Sequence, residues 1–115
     1  MRRVEPVEVV FYRTEGGREP LRDWLRSLSL VEKKLIGEDI KTVQFGWPIG
    51  MPVVEKLDHD LWEVRTTLKN GICRILFTLH GNNIVLLHGF MKKSRRIHKD
   101  DLAVAHARMR NIKRG

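Results

Sequence analysis

Residues 61–96, LWEVRTTLKNGICRILFTLHGNNIVLLHGFMKKSRR, decide the fold. Their apolar runs, rich in Val, Ile, Leu and Phe, are broken at Asn70-Gly71 and at Gly81-Asn82-Asn83. Both breaks carry tight-hairpin chemistry, because Gly and Asn tolerate the positive φ that short antiparallel turns demand. The stretch is predicted to form three consecutive antiparallel strands that end in a burst of cations: Lys92, Lys93, Arg95 and Arg96.

Side chains alternate across a strand, so a register assigns every residue to a face. With Asn70-Gly71 as a two-residue loop, Leu68 faces Cys73, Thr66 faces Ile75, Val64 faces Phe77 and Trp62 faces Leu79, which makes one apolar face. The other face carries Glu63, Arg65 and Thr67 with Arg74, Leu76 and Thr78. Arg74 then lies across from Thr67 and diagonal to Arg65, within converging reach of two long side chains. An even second turn adds Gly89, Met91 and Lys93 to the Arg74 face and puts His88 on the apolar face opposite Ile75, where it reads as a hydrogen-bonded core histidine. A slip of one residue would reverse these assignments.

Outward from this stretch, charge is divided unevenly. Residues 1–60 hold 10 Lys+Arg and 11 Asp+Glu, whereas residues 61–115 hold 12 and 3, so the whole positive excess of the chain sits in its second half. A one-sided basic field implies a polyanionic partner, and nucleic acid is the common one. The single cysteine, Cys73, forms no internal disulfide and falls on the apolar face, which suits a reducing cytosol. No apolar run approaches the roughly 20 residues of a membrane span, and the opening MRRVEPVEVVFYR is interrupted by Glu5, Pro6 and Glu8, so neither a membrane segment nor a signal peptide is expected. At 115 residues, 1–115 is expected to be a single cytoplasmic domain with its own core.

Val7 to Arg13 reads as a first strand. After Gly16-Gly17, Pro20 suits the first turn of a short helix with Leu21, Trp24, Leu25 and Leu28 on one stripe. Ser29 followed by Glu32 is a capping box that restarts the chain as a second helix, with Leu35, Ile36, Ile40 and Val43 expected inside and Gly46-Trp47-Pro48 as the stop. Val53 to Leu57 is a short strand that turns at Asp58-His59-Asp60, where turn chemistry explains the acids better than a metal would. Asp100-Asp101 opens a last helix with a narrow stripe of Leu102, Ala105, Met109 and Ile112. The predicted class is α+β: a twisted antiparallel sheet, built from the N-terminal strand and the meander, packed on a helical hairpin, with a C-terminal helix.

No glycine-rich nucleotide motif, metal-ligand cluster or nucleophilic triad can be assembled, and Glu63, Asp100 and Asp101 are the only acids of the basic half. A catalytic cationic face would therefore work without metal or cofactor, which RNA permits because its 2′-OH is an internal nucleophile. Bidentate arginine suits the phosphate oxygens, and a lysine among other cations can move protons. Arg65, Arg74, Lys92 and Lys93 are the candidate catalytic residues. Lys69, Arg95, Arg96, His98 and Lys99 are the candidate RNA or ribosome contacts. On this reading Arg74→Ala is expected to abolish activity with the fold intact.

The segments LWEVR at 61–65, GICRILF at 71–77 and VLLHGFMKKSRRIHKDD at 85–101 resemble the RelE/ParE superfamily of toxins, in particular its HigB-like, phage-derived branch. The resemblance extends over nearly the whole chain, from the Phe11-Tyr12 strand to the final helix. It implies an mRNA interferase that acts in the ribosomal A site and is neutralised by a co-expressed antitoxin, expected to be a helix-turn-helix protein. By position it makes Arg65 and Arg74 phosphate and transition-state cations and puts Lys92 and Lys93 on the basic catalytic or rRNA-binding segment. Some relatives use a tyrosine near the C-terminus, whereas the one tyrosine here is Tyr12. Two other readings of the same residues are a non-catalytic nucleic-acid-binding module and a gyrase inhibitor of the ParE type.

Overall fold

The computed structural model describes residues 7–48, 54–92 and 97–114. Five strands form one sheet in the order β1-β5-β4-β3-β2: β1 is Glu8–Phe11, β2 Val54–Asp58, β3 Leu61–Leu68, β4 Gly71–His80 and β5 Asn83–Lys92. Helices α1 (Pro20–Arg26) and α2 (Leu30–Gly46) lie between β1 and β2, and α3 (Lys99–Arg114) follows β5. The α+β class, the helical hairpin, the meander and the C-terminal helix are as the sequence predicts. The sheet is mixed rather than wholly antiparallel, because β1 runs parallel to β5 at one edge. The direction of β1 depends on how the hairpin crosses the sheet to deliver β2 at the opposite edge, which no property of residues 7–13 encodes.

Each helix starts for a local reason. Pro20 occupies the first turn of α1, where its missing N–H costs nothing. Ser29 caps α2 reciprocally: its Oγ accepts from the Glu32 N–H at 3.2 Å, and Glu32 Oε1 accepts from the Ser29 N–H at 2.9 Å. These hydrogen bonds hold the Glu32 carboxyl below the usual range. Trp47 is extended ahead of Pro48, which ends α2.

The sheet buries both faces. Under α1 and α2 lie Val64, Leu68, Cys73, Ile75, Phe77, Ile84 and Leu86, with Leu21, Ile36 and Val43 from the helices. Burial in this layer pushes the Cys73 thiol up to about 12, so it behaves as a small hydrophobe. Leu35, expected inside, is 38% exposed; the buried stripe of α2 is Ile36 and Val43, flanked by Ile40. Under α3 lie Leu61, Leu76, Val85, Leu87 and Phe90 with Ala105 and Met109. Among the described α3 side chains Ala105 and Met109 are the buried ones, and polar ties supplement them. Asn111 donates to Tyr12 Oη at 3.1 Å, Lys113 pairs with Asp60 at 2.9 Å, and His106 Nε2 lies 3.3 Å from Asp58.

Two registers differ from the predicted ones, with unequal consequences. The first loop is Lys69-Asn70, with Leu68 opposite Gly71, so β3 and β4 pair two residues away from the predicted register. An even shift leaves each side chain on its face. It places Phe77 opposite Trp62, where the rings stack at 6.0 Å, and Arg74 directly opposite Arg65 rather than Thr67. The second difference is odd. A bulge between Leu76 and Phe77 pairs Phe77 with Leu86 but Leu76 with His88, so β5 changes phase at Leu87. Beyond the bulge, Phe90 and not Gly89 lies opposite Arg74, and Gly89 opposes Ile75 beneath α1. His88 correspondingly leaves the apolar face. Met91 takes the face predicted for Lys92, and Lys92 joins the arginines.

At Gly89 the side chains of α1 pack directly on the sheet backbone. A Cβ there would sit 2.6 Å from Leu21 Cδ1 and 3.0 Å from the Trp24 ring. Gly89→Ala is expected to lower stability by about 1–3 kcal/mol through overpacking, measured by urea denaturation. Ala at the open Gly37 position, where nothing lies within 4 Å, serves as the contrast.

Candidate functional site

The face beneath α3 changes character along the sheet. Toward the second turn it is apolar. Toward the first turn it carries Glu63 and Arg65 on β3, Arg74 on β4, and His88, Phe90 and Lys92 on β5. Arg65 and Arg74 share this face, as predicted, and they share a carboxylate. Glu63 is fully buried; Arg74 Nη1 donates to both of its oxygens at 3.1 Å, and Arg65 Nε lies 3.2 Å from Oε1. The Arg65 guanidinium also reaches Glu55 Oε2 at 3.8 Å, a longer and more exposed contact.

The two arginines differ in access. Arg74 is 1% exposed, whereas the Arg65 side chain keeps 22% of its surface open. Arg74 therefore works from inside, as a brace for the carboxylate that holds Arg65. Burial pushes the Glu63 carboxyl above its usual range, against the opposing pull of Arg74 and then Arg65.

At the same end of the sheet the chain leaves β5 and starts α3. Asp101, in the first turn of α3, lies 2.8 Å from His88 Nε2 through Oδ1 and 3.6 Å from Lys92 Nζ through Oδ2. The His88 ring lies 5.6 Å from that of Phe90, and Lys92 stands over the same ring at 5.9 Å. His88, Lys92 and Asp101 each keep about a fifth to a quarter of their side chain exposed. An imidazole and a cation on β5 and a carboxylate on α3 thus stand on the same sheet face as Arg65.

The other predicted contacts scatter around this end. Lys69 is exposed in the β3–β4 turn, Lys99 is exposed at the start of α3, and His98 is exposed just before it, with Nδ1 3.6 Å from Asp100. Lys93, Arg95 and Arg96 lie outside the described residues. Asp58-His59-Asp60 acts as a turn: Asp58 accepts from the His59 N–H at 2.8 Å, and Asp60 adopts a positive φ of 57°. Among the described residues, no group of three or more His, Cys, Asp or Glu side chains is placed to hold a metal ion. No described helix is long and apolar enough to cross a membrane.

His88 and Asp101 are the members that sequence reasoning missed. Strict alternation puts His88 on an apolar face with no partner to name. That misfit was the available signal that alternation fails nearby.

This site lies within residues 23–110, the span matched by the model of the family described as Phage derived protein Gp49-like (DUF891). The chain belongs to that family, one of the RelE/HigB-like toxins of toxin–antitoxin systems, and the family implies an antitoxin as partner. No curated protein matches the chain in a sequence comparison.

The buried pair changes what Arg74→Ala is expected to do: it removes the cation that contacts both oxygens of the buried Glu63 carboxylate and leaves Arg65 as the contact at one oxygen, so a loss of stability is expected alongside any loss of activity. Arg74→Ala and Glu63→Ala are each expected to cost about 3–5 kcal/mol in urea denaturation. The sign of the pH dependence follows from the raised Glu63 pKa. The stability linked to this carboxyl is full below its unfolded value near 4.5 and is lost as pH rises through the higher folded value. Glu63→Gln is expected to remove that decline from the stability profile.

Proposed function

We propose that the protein is a ribosome-dependent mRNA interferase of the HigB-like, phage-derived branch, cutting mRNA in the A site by attack of the ribose 2′-OH on the adjacent phosphate. One observation carries the reading: Arg65, Lys92 and His88 occupy one end of one sheet face, each held by a carboxylate and each still open to solvent. A phosphate has the charge to displace the weak Glu55 contact of Arg65 and the 3.6 Å Asp101 contact of Lys92, and so meets cations already in position.

In this reading Arg65 binds the non-bridging phosphate oxygens, and Arg74 keeps Glu63, and through it Arg65, in place. Lys92 and Lys93 neutralise charge developing in the transition state. Lys69, Arg95, Arg96, His98 and Lys99 follow the backbone of mRNA or rRNA around the site, consistent with the basic second half of the chain. The chemistry requires no metal or cofactor. The protein acts in the cytoplasm, and a helix-turn-helix antitoxin neutralises it.

The test is cleavage of a defined mRNA on programmed ribosomes. Arg65→Ala is expected to lower the cleavage rate on the order of 10²–10³-fold, with the fold unchanged by circular dichroism. Equal cleavage of free RNA without ribosomes would contradict the A-site reading. Salt-sensitive RNA binding with no cleavage at all would favour a binding module, and growth arrest with intact mRNA would favour gyrase poisoning.

A further inference from the structure

We infer that His88 is a catalytic general base of this reaction and that Asp101 orients it; the inference rests on the ribonuclease reading. Three features of the fold converge on this histidine. The bulge at Leu87 is the reason His88 lies on the cation face, since uninterrupted alternation would bury it beneath the helical hairpin. Arg108 of α3 donates to the Leu87 carbonyl at 2.7 Å, satisfying a backbone group at the bulge and fixing the phase change. Burial lowers the pKa of Arg108, a cost offset by this bond and by the Tyr12 ring, which the guanidinium faces at 5.4 Å. Asp101 then meets His88 from the first turn of the same helix. Helix α3 thus both pins the bulge and supplies the carboxylate.

The chemistry of the pair follows from the acceptor. A carboxylate facing Nε2 selects the tautomer with hydrogen on that atom, which leaves the Nδ1 lone pair free to take a proton. The charged and titratable groups facing the ring are Asp101 from α3, Lys92 on its own strand, and Glu63, Arg65 and Arg74 from the neighbouring strands of the same face. In the step, Nδ1 of His88 takes the 2′-OH proton, the 2′-oxygen forms a bond to phosphorus, and the P–O5′ bond breaks. The leaving 5′-oxygen takes a proton from the Lys92 ammonium. The products are a 2′,3′-cyclic phosphate and a 5′-hydroxyl. The proton gained by His88 and the one lost by Lys92 balance through solvent after product leaves. Asp101 stabilises the imidazolium between these events, as a positioning residue.

The test is the pH–rate profile of mRNA cleavage on programmed ribosomes for the wild type, His88→Gln, His88→Ala and Asp101→Asn, with Arg65→Ala as reference. His88→Gln is expected to lower kcat about 10²–10⁴-fold with KM little changed and to lose the acid limb of the profile. Asp101→Asn is expected to lower kcat less and to move that limb. Added imidazole is expected to restore part of the His88→Ala rate, which a merely structural histidine would not allow. Wild-type rate and acid limb in His88→Gln, with Arg65→Ala inactive, would overturn the assignment of His88 while the ribonuclease reading stands. A folded His88→Ala that stays inactive at every imidazole concentration, with the acid limb of the wild type kept in Asp101→Asn, would also overturn it. Absence of cleavage by the wild type would overturn both.

Discussion

The carboxylate of Glu63, buried on a β-strand and shared by two arginines, is the constraint on which the rest of this face depends. A charge in that position is costly unless it is paired, and Arg74 pairs it through both oxygens. Such a pair contributes little net stability compared with apolar side chains of the same size, so the fold alone gives no reason for it. Its consequence is positional. Arg65, across the strand pair from Arg74, is tied to the same carboxylate and emerges at the surface in a fixed attitude.

Helix α3 completes the arrangement from above. With few fully buried side chains it docks through polar ties at several points along its length. Its first turn brings Asp101 to His88 and Lys92, and about two turns nearer its end Arg108 bonds the Leu87 carbonyl at the bulge that turned His88 toward them. The site is thus a joint product of sheet and helix: β3 and β4 supply the braced arginines, β5 the histidine and lysine, and α3 the carboxylate. The candidate groups thus stand on regular elements, where positions are more sharply set than on loops.

Much of this was legible in the sequence, for physical reasons. Asn70-Gly71 and Gly81-Asn82 mark the hairpins because turn chemistry is local, and the Ser29–Glu32 box marks the start of α2 for the same reason. The two-residue error at the first loop was harmless to the face assignment, since strand parity survived it. The bulge at Leu87 was not harmless. It moved His88, Gly89, Met91 and Lys92 to the faces opposite those predicted, and the side chain that bonds its Leu87 carbonyl, Arg108, comes from α3, outside the strand pattern. Alternation likewise shows that Glu63 and Arg74 share a face but not that both are sealed from water, which depends on tertiary packing. That Arg65 and Arg74 share a face could be read from alternation; that Arg74 is buried against Glu63 while Arg65 stays partly open needed the geometry.

The central claim is that the buried pair serves the site rather than the fold, and replacing both partners together tests it most directly. A Glu63→Leu, Arg74→Met chain leaves no stranded charge and is predicted to remain folded, with urea stability close to that of the wild type. On programmed ribosomes it is predicted to lose mRNA cleavage nearly as fully as removal of Arg65 itself, because the buried carboxylate that orients that guanidinium is then gone. A folded double variant that cuts mRNA at the wild-type rate would contradict the account.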